Sequence, residues 1–189
     1  MKWIFILVFI GVLMAKDNLA TQTDNVLVVV KENSPMSALP NRTNNWMSVQ
    51  GNDTWEGLSD EQVHKRQLKF DSPEYGIRAG AISLITRALR KNNKPEVNFS
   101  QIFFEDDGWA EDKESYKLDA MSKGFDDSYT VDVMDREQLS TLINFISNHE
   151  MGPNEYLKLN DRVGVINKGI DMAYDYVTSD DYSLKDLVK

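Results

Sequence analysis

The 189-residue chain contains no cysteine and only two histidines, His64 and His149. The first absence excludes a small fold stapled by disulfides and any thiolate metal site. The second leaves too few nitrogen donors for a structural zinc site. Positive charge is also scarce. With 21 Lys and Arg against 30 Asp and Glu, the net charge is -9. Binding to phosphates needs a basic face, so nucleic acid is excluded as the main partner. There is no glycine-rich phosphate loop, no G-x-S-x-G elbow and no H-E-x-x-H, which leaves nucleotide, serine-hydrolase and zinc-protease chemistry without support. The acidic run from Glu105 to Glu114 lacks the D-x-D-x-D-G order of a calcium loop and reads as a solvated acidic turn. Nothing in the sequence calls for a cofactor or a metal.

What the chain does have begins with an apolar N-terminus, "MKWIFILVFIGVLMA". One early Lys, an apolar run from Trp3 to Met14 and a small residue at Ala15 follow the pattern of a signal peptide, whose apolar region is about 7–15 residues long. A membrane span needs roughly 20. Residues 1–15 are therefore expected to act as a signal- or anchor-like peptide with membrane contact through Trp3–Met14, or to pack against a partner in an assembly. Residues 16–53 should hold a short strand at "NVLVVVKE" and then an irregular segment. Residues 54–178 should form a mainly helical domain, and residues 179–189 a polar tail.

The helices announce themselves by their caps. "DSPEYG" places an N-cap at Ser72, a proline at the first helical position and Glu74 in the first turn, ahead of an apolar face from Ile77 to Leu89. "NFSQIFFEDDGW" reads as a short helix. Asp112 should cap the next one, with Gly124 just past its end. In "DREQLSTLINFISNHEMG", Asp135 and Gln138 form a capping-box pattern, Leu139, Leu142, Ile143 and Ile146 a buried stripe, and Gly152 a stop. A last helix from about Asp161 to Val177 should bury Val163, Ile166, Ile170, Ala173, Tyr174 and Val177. The alternation at Leu68 and Phe70 suggests a strand, paired as a small hairpin with Trp46–Val49. The expected class is mainly α (α+β): one compact domain of about five helices with a small β-hairpin near the front.

Two carboxylates are candidates for chemistry. Glu74 sits at a helix start, where the dipole lowers its pKa; that suits a helix cap better than a proton donor. Glu150 sits at the C-terminal end of an apolar helix, where the dipole should raise its pKa, as a general acid requires. Glycoside cleavage uses such an acid together with a second carboxylate or a positioned water. The helix closing on Glu150 beside a small residue resembles the catalytic helix end of lysozymes, lytic transglycosylases and related chitinases. Glu74 would be the second carboxylate if the two faced one cleft. Trp46, Trp55, Trp109 and Tyr75 are the aromatic residues that could bind a sugar, although tryptophans also serve as core anchors.

The order "WEGL", "FDSPEYGIRA", "WAEDKESY", "GF", a helix ending "HEMG" and then "GVINKGIDMA" resembles a family of phage and prophage virion structural proteins. The likeness covers about Asn41 to Ala173 and is most specific at Phe70–Ala79. Two departures stand out. Where the family has N-N-P-G-N-I-R, this chain has "NRTNNWM", and its R-W-A-P-P-x-E-N has become "GWAEDKES". The resemblance implies a virion-associated structural protein, working in assembly or in delivery through the host envelope. Its partners would be other virion proteins or copies of itself. The alternative is a lysozyme-like enzyme acting on peptidoglycan with Glu150 as general acid; a third reading is an exported host protein of prophage origin. Localisation would be the virion, or the host periplasm or envelope if the N-terminal peptide directs export.

Overall fold

The computed structural model describes residues 39–51, 54–105, 108–156 and 159–179. The apolar N-terminal peptide, the strand expected at Asn25 and nearly all of the polar tail lie outside these residues. The elements are α1 (Leu39–Arg42), α2 (Pro73–Asn92), β1 (Glu96–Asn98), α3 (Phe99–Phe103), α4 (Lys113–Ser122), β2 (Thr130–Asp132), α5 (Arg136–Met151), α6 (Pro153–Tyr156) and α7 (Arg162–Val177). The protein is mainly helical with one small antiparallel pair of strands, the class expected. Among the described residues no helix is long and apolar enough to cross a membrane.

The caps account for the helix boundaries. Asp112 accepts the Ser115 amide at 3.1 Å, and Asp161 the Gly164 amide at 3.2 Å. Asp135 accepts from both Glu137 and Gln138 at 3.0 Å. The capping box expected there is only half formed. The Gln138 side chain takes the amide of Asp132 at 2.9 Å instead, which ties the start of α5 to the end of β2. Gly152 ends α5 with a φ of 76°. The stripe Leu139, Leu142, Ile143 and Ile146 is buried, as are Ile166, Ile170 and Ala173 of α7. Val163 is not: its side chain is 65% exposed, because the first turn of α7 reaches beyond the core.

The paired strands lie further along the chain than the expected front hairpin. They pair Glu96 with Asp132, Val97 with Val131 and Asn98 with Thr130. At the front, among the described residues, only the bridges Gln50–Gln67 and Leu58–Phe70 form. The reason is a buried side chain. Asn45 Nδ2 donates to the carbonyls of Val49 at 2.8 Å and Leu68 at 2.9 Å, and its Oδ1 accepts the Val49 amide at 2.8 Å. The Leu68 amide still reaches the Val49 carbonyl at 3.3 Å, but the Val49 amide and the Leu68 carbonyl, which a longer ladder would have used, go to Asn45.

α2 is the central helix and packs most extensively on α7. Its N-terminal motif organises the front of the chain. Tyr75 lies over Gly57, whose φ is 71°, and a Cβ at Gly57 would overlap the Tyr75 ring. Arg78 is buried, pairs with Glu56 at 2.9 Å and stacks over the Tyr176 ring at 5.0 Å. Gly76 meets the Asn44 carbonyl oxygen, which any Cβ there would overlap. Backbone on both sides blocks relief, so Gly76→Ala should cost about 1–3 kcal/mol through overpacking. The gain in helix propensity of about 1 kcal/mol offsets only part of that. A lowered urea midpoint for Gly76→Ala checks this; an unchanged or raised midpoint would show that the loop yields.

Candidate active-site cleft at the end of helix α5

A cleft of about 480 Å³ opens where the C-terminal end of α5 meets the start of α4. That is within the range of small-molecule and saccharide sites, about 300–1,000 Å³. His149 and Glu150 come from the last turn of α5. Trp109, Glu111, Asp112 and Tyr116 come from α4 and the segment before it. Ser83 and Arg87 of α2 form another wall, and Ser48, Val49, Gln50 and Gln67 of the front loop close the cleft.

Glu150 is held from below. Tyr116 donates its phenolic O–H to Glu150 Oε1. The tyrosine is 3% exposed, with its ring 5.1 Å from that of Phe103 and 3.8 Å from the imidazole of His149. Burial pushes its phenol far above the ordinary tyrosine range, and the negative charges of Glu150 and Asp119 push it further. Tyr116 therefore keeps its proton and donates in this pair, and among the described residues the other carboxyl oxygen of Glu150 has no partner. His149 Nδ1 lies 3.0 Å from Asp119 Oδ2, and Lys123 Nζ also reaches that oxygen at 3.0 Å. Burial alone would raise the Asp119 carboxyl, but the hydrogen bonds from Lys123 and His149 outweigh it and hold the group below the usual carboxylate range.

The other sequence candidates fall elsewhere. Glu74 is not on this cleft. Burial opposes its ionisation, but the hydrogen bonds of Ser72 and of its own backbone, together with the Lys168 ammonium 3.5 Å away, keep its carboxyl below the usual range. The Ser72 side chain makes no bond to the helix amides. Glu74 thus serves the α2 terminus and its junction with α7. Trp46 is 4% exposed and meets the Tyr156 ring edge-on at 6.4 Å, which makes it a core anchor. Trp55 and Tyr75 pack half-buried on the core away from the cleft. Of the four aromatic candidates, only Trp109 lines it.

Two groups escaped sequence reasoning. Glu111, inside the run read as a solvated turn, reaches the cleft rim, where Arg66 pairs with it and Gln50 Nε2 donates at 3.0 Å. Tyr116 closes the "WAEDKESY" motif, so its signal was present, but nothing local connects it to Glu150. Comparison with known protein families and with curated proteins finds no match to this chain.

Proposed function

We propose that this chain is a phage virion-associated protein whose helical domain acts on the glycan strand of peptidoglycan, with Glu150 as proton donor. One observation carries this reading: Glu150 stands in a cleft, at the end of an apolar helix, and a tryptophan lines the same cleft. The Tyr116 bond fixes one carboxyl oxygen and leaves the other to protonate the glycosidic oxygen as the bond to the sugar breaks. Trp109 supplies the flat apolar surface on which a sugar ring stacks, and Gln67 supplies a polar contact for its hydroxyl and amide groups. The sequence motifs shared with virion proteins support the virion setting, where local wall cleavage serves delivery through the envelope.

The test is digestion of purified cell-wall sacculi by the whole protein beside Glu150→Gln. Soluble muropeptides should appear with the wild type and fall at least about 100-fold in the variant, the usual scale for losing a general acid. No release by the wild-type protein would sink the enzymatic reading. What would then stand is a purely structural virion component, for which the exposed Leu118 and Met121, one helical turn apart on α4, offer contact surface.

A further inference from the structure

From the Asp119–His149 pair we infer that His149 is the general base of the cleft and that the glycosidic bond is cleaved by a water attacking directly, with inversion at the anomeric carbon. This rests on the reading of Glu150 as the acid. Three cleft residues other than Glu150 could accept a proton from water. Glu111 is engaged by Arg66 and Gln50. Asp112 is engaged in capping α4 through the Ser115 amide. His149 is different. A carboxylate at Nδ1 fixes that nitrogen as the donor of the neutral ring, which leaves the Nε2 lone pair as the acceptor. The ring is clamped on one face by Tyr116, and its side chain keeps 17% exposure, on a residue that lines the cleft.

The Asp119–His149 pair is that of a base whose tautomer and orientation are set by a carboxylate. His149 and Glu150 are consecutive on α5, and successive helical side chains diverge by about 100°. Tyr116 holds the two apart, with His149 on its ring face at 3.8 Å and Glu150 at its hydroxyl; inverting enzymes keep acid and base about 6.5–9.5 Å apart. In the step itself, Nε2 takes a proton from water and the water oxygen bonds to the anomeric carbon. The carbon–oxygen glycosidic bond breaks, and its electron pair goes to the leaving oxygen, which receives the proton of Glu150. His149 ends protonated and Glu150 ionised, and solvent returns the proton from one to the other.

The whole protein would be tested on sacculi and on chitin oligosaccharides, with the anomer of the first product read by proton NMR. Inverted product is expected from the wild type. His149→Ala should lower kcat by about 100-fold or more with KM little changed. Sodium azide, a nucleophile that needs no base, should restore turnover of His149→Ala and give a glycosyl azide of inverted configuration. Retained product from the wild type, or full kcat in a folded His149→Ala while Glu150→Gln is inactive, overturns the base and leaves the acid standing. No cleavage by the wild type overturns both.

Discussion

Asn45→Ala is expected to cost the domain about 2–6 kcal/mol, a large part of the roughly 5–15 kcal/mol that holds a domain of this size together. The residue has no exposed surface, and all three of its side-chain hydrogen bonds go to backbone groups. Truncation would leave the Val49 amide and the Leu68 carbonyl short of partners in a dry site, at about 1–3 kcal/mol each where no water enters, while the Val49 carbonyl keeps the Leu68 amide at 3.3 Å. Urea unfolding checks this through a lower midpoint at an unchanged slope. Asn44→Ala is the matched control. Its side chain bonds Phe70 and Asp71 carbonyls at 3.0 and 3.2 Å in a more exposed position, and its φ of 53° favours Asn over Ala, so its loss should cost about 1–2 kcal/mol. Equal effects for the two variants would mean that burial does not set the penalty here.

Phe103→Ala should cost about 3–5 kcal/mol, the usual range for removing a fully buried aromatic ring. Phe103 touches four other rings: Phe99 at 4.3 Å, Tyr116 at 5.1 Å, Phe145 at 5.8 Å and Phe104 at 6.2 Å. These belong to α3, α4 and α5 and the residue after α3, so no single element can move to fill the hole. The effect reaches the cleft as well, because Tyr116 rests on Phe103 and holds Glu150. A calorimetric melt reads the stability loss. Under conditions where the variant is still folded, its glycan cleavage should fall with its stability, whereas the half-buried Phe104→Ala should keep full activity. Wild-type activity in a destabilised Phe103→Ala would show that the Tyr116 support is redundant.

The helices of this fold were legible because their determinants are local. Asp112, Asp135, Asp161 and Gly152 each act on amides or turns within a few residues, and the stripe of α5 repeats at helical spacing. Glu150 was legible as a candidate for the same reason, since its place at a helix end can be read without knowing the neighbours. The strand pair was not, because three-residue strands separated by α3 and α4 carry almost no periodic signal. The front loop was misjudged as a hairpin because one buried asparagine side chain does the work of several ladder bonds. Tyr116, Glu111 and His149 come together only through tertiary packing. The Phe70–Ala79 motif, the most specific stretch of sequence, turned out to organise packing at Gly57, Asn44 and Glu56, well apart from the candidate chemistry.

The short ladder between β1 and β2 also determines how the cleft is built into the molecule. It fastens Asn98 to Thr130, and the Phe99 amide extends the fastening to the Tyr129 carbonyl at 2.8 Å. Residues 99–129 therefore leave the helical frame and return to it through one doorway. That excursion carries the wall with Trp109 and Tyr116, while α2, α5 and α7 pack on one another without it. Inside that doorway the rings of Phe99, Phe103 and Tyr116 seat the wall against Phe145 of α5, so the cleft wall and the helix that presents Glu150 share one aromatic core.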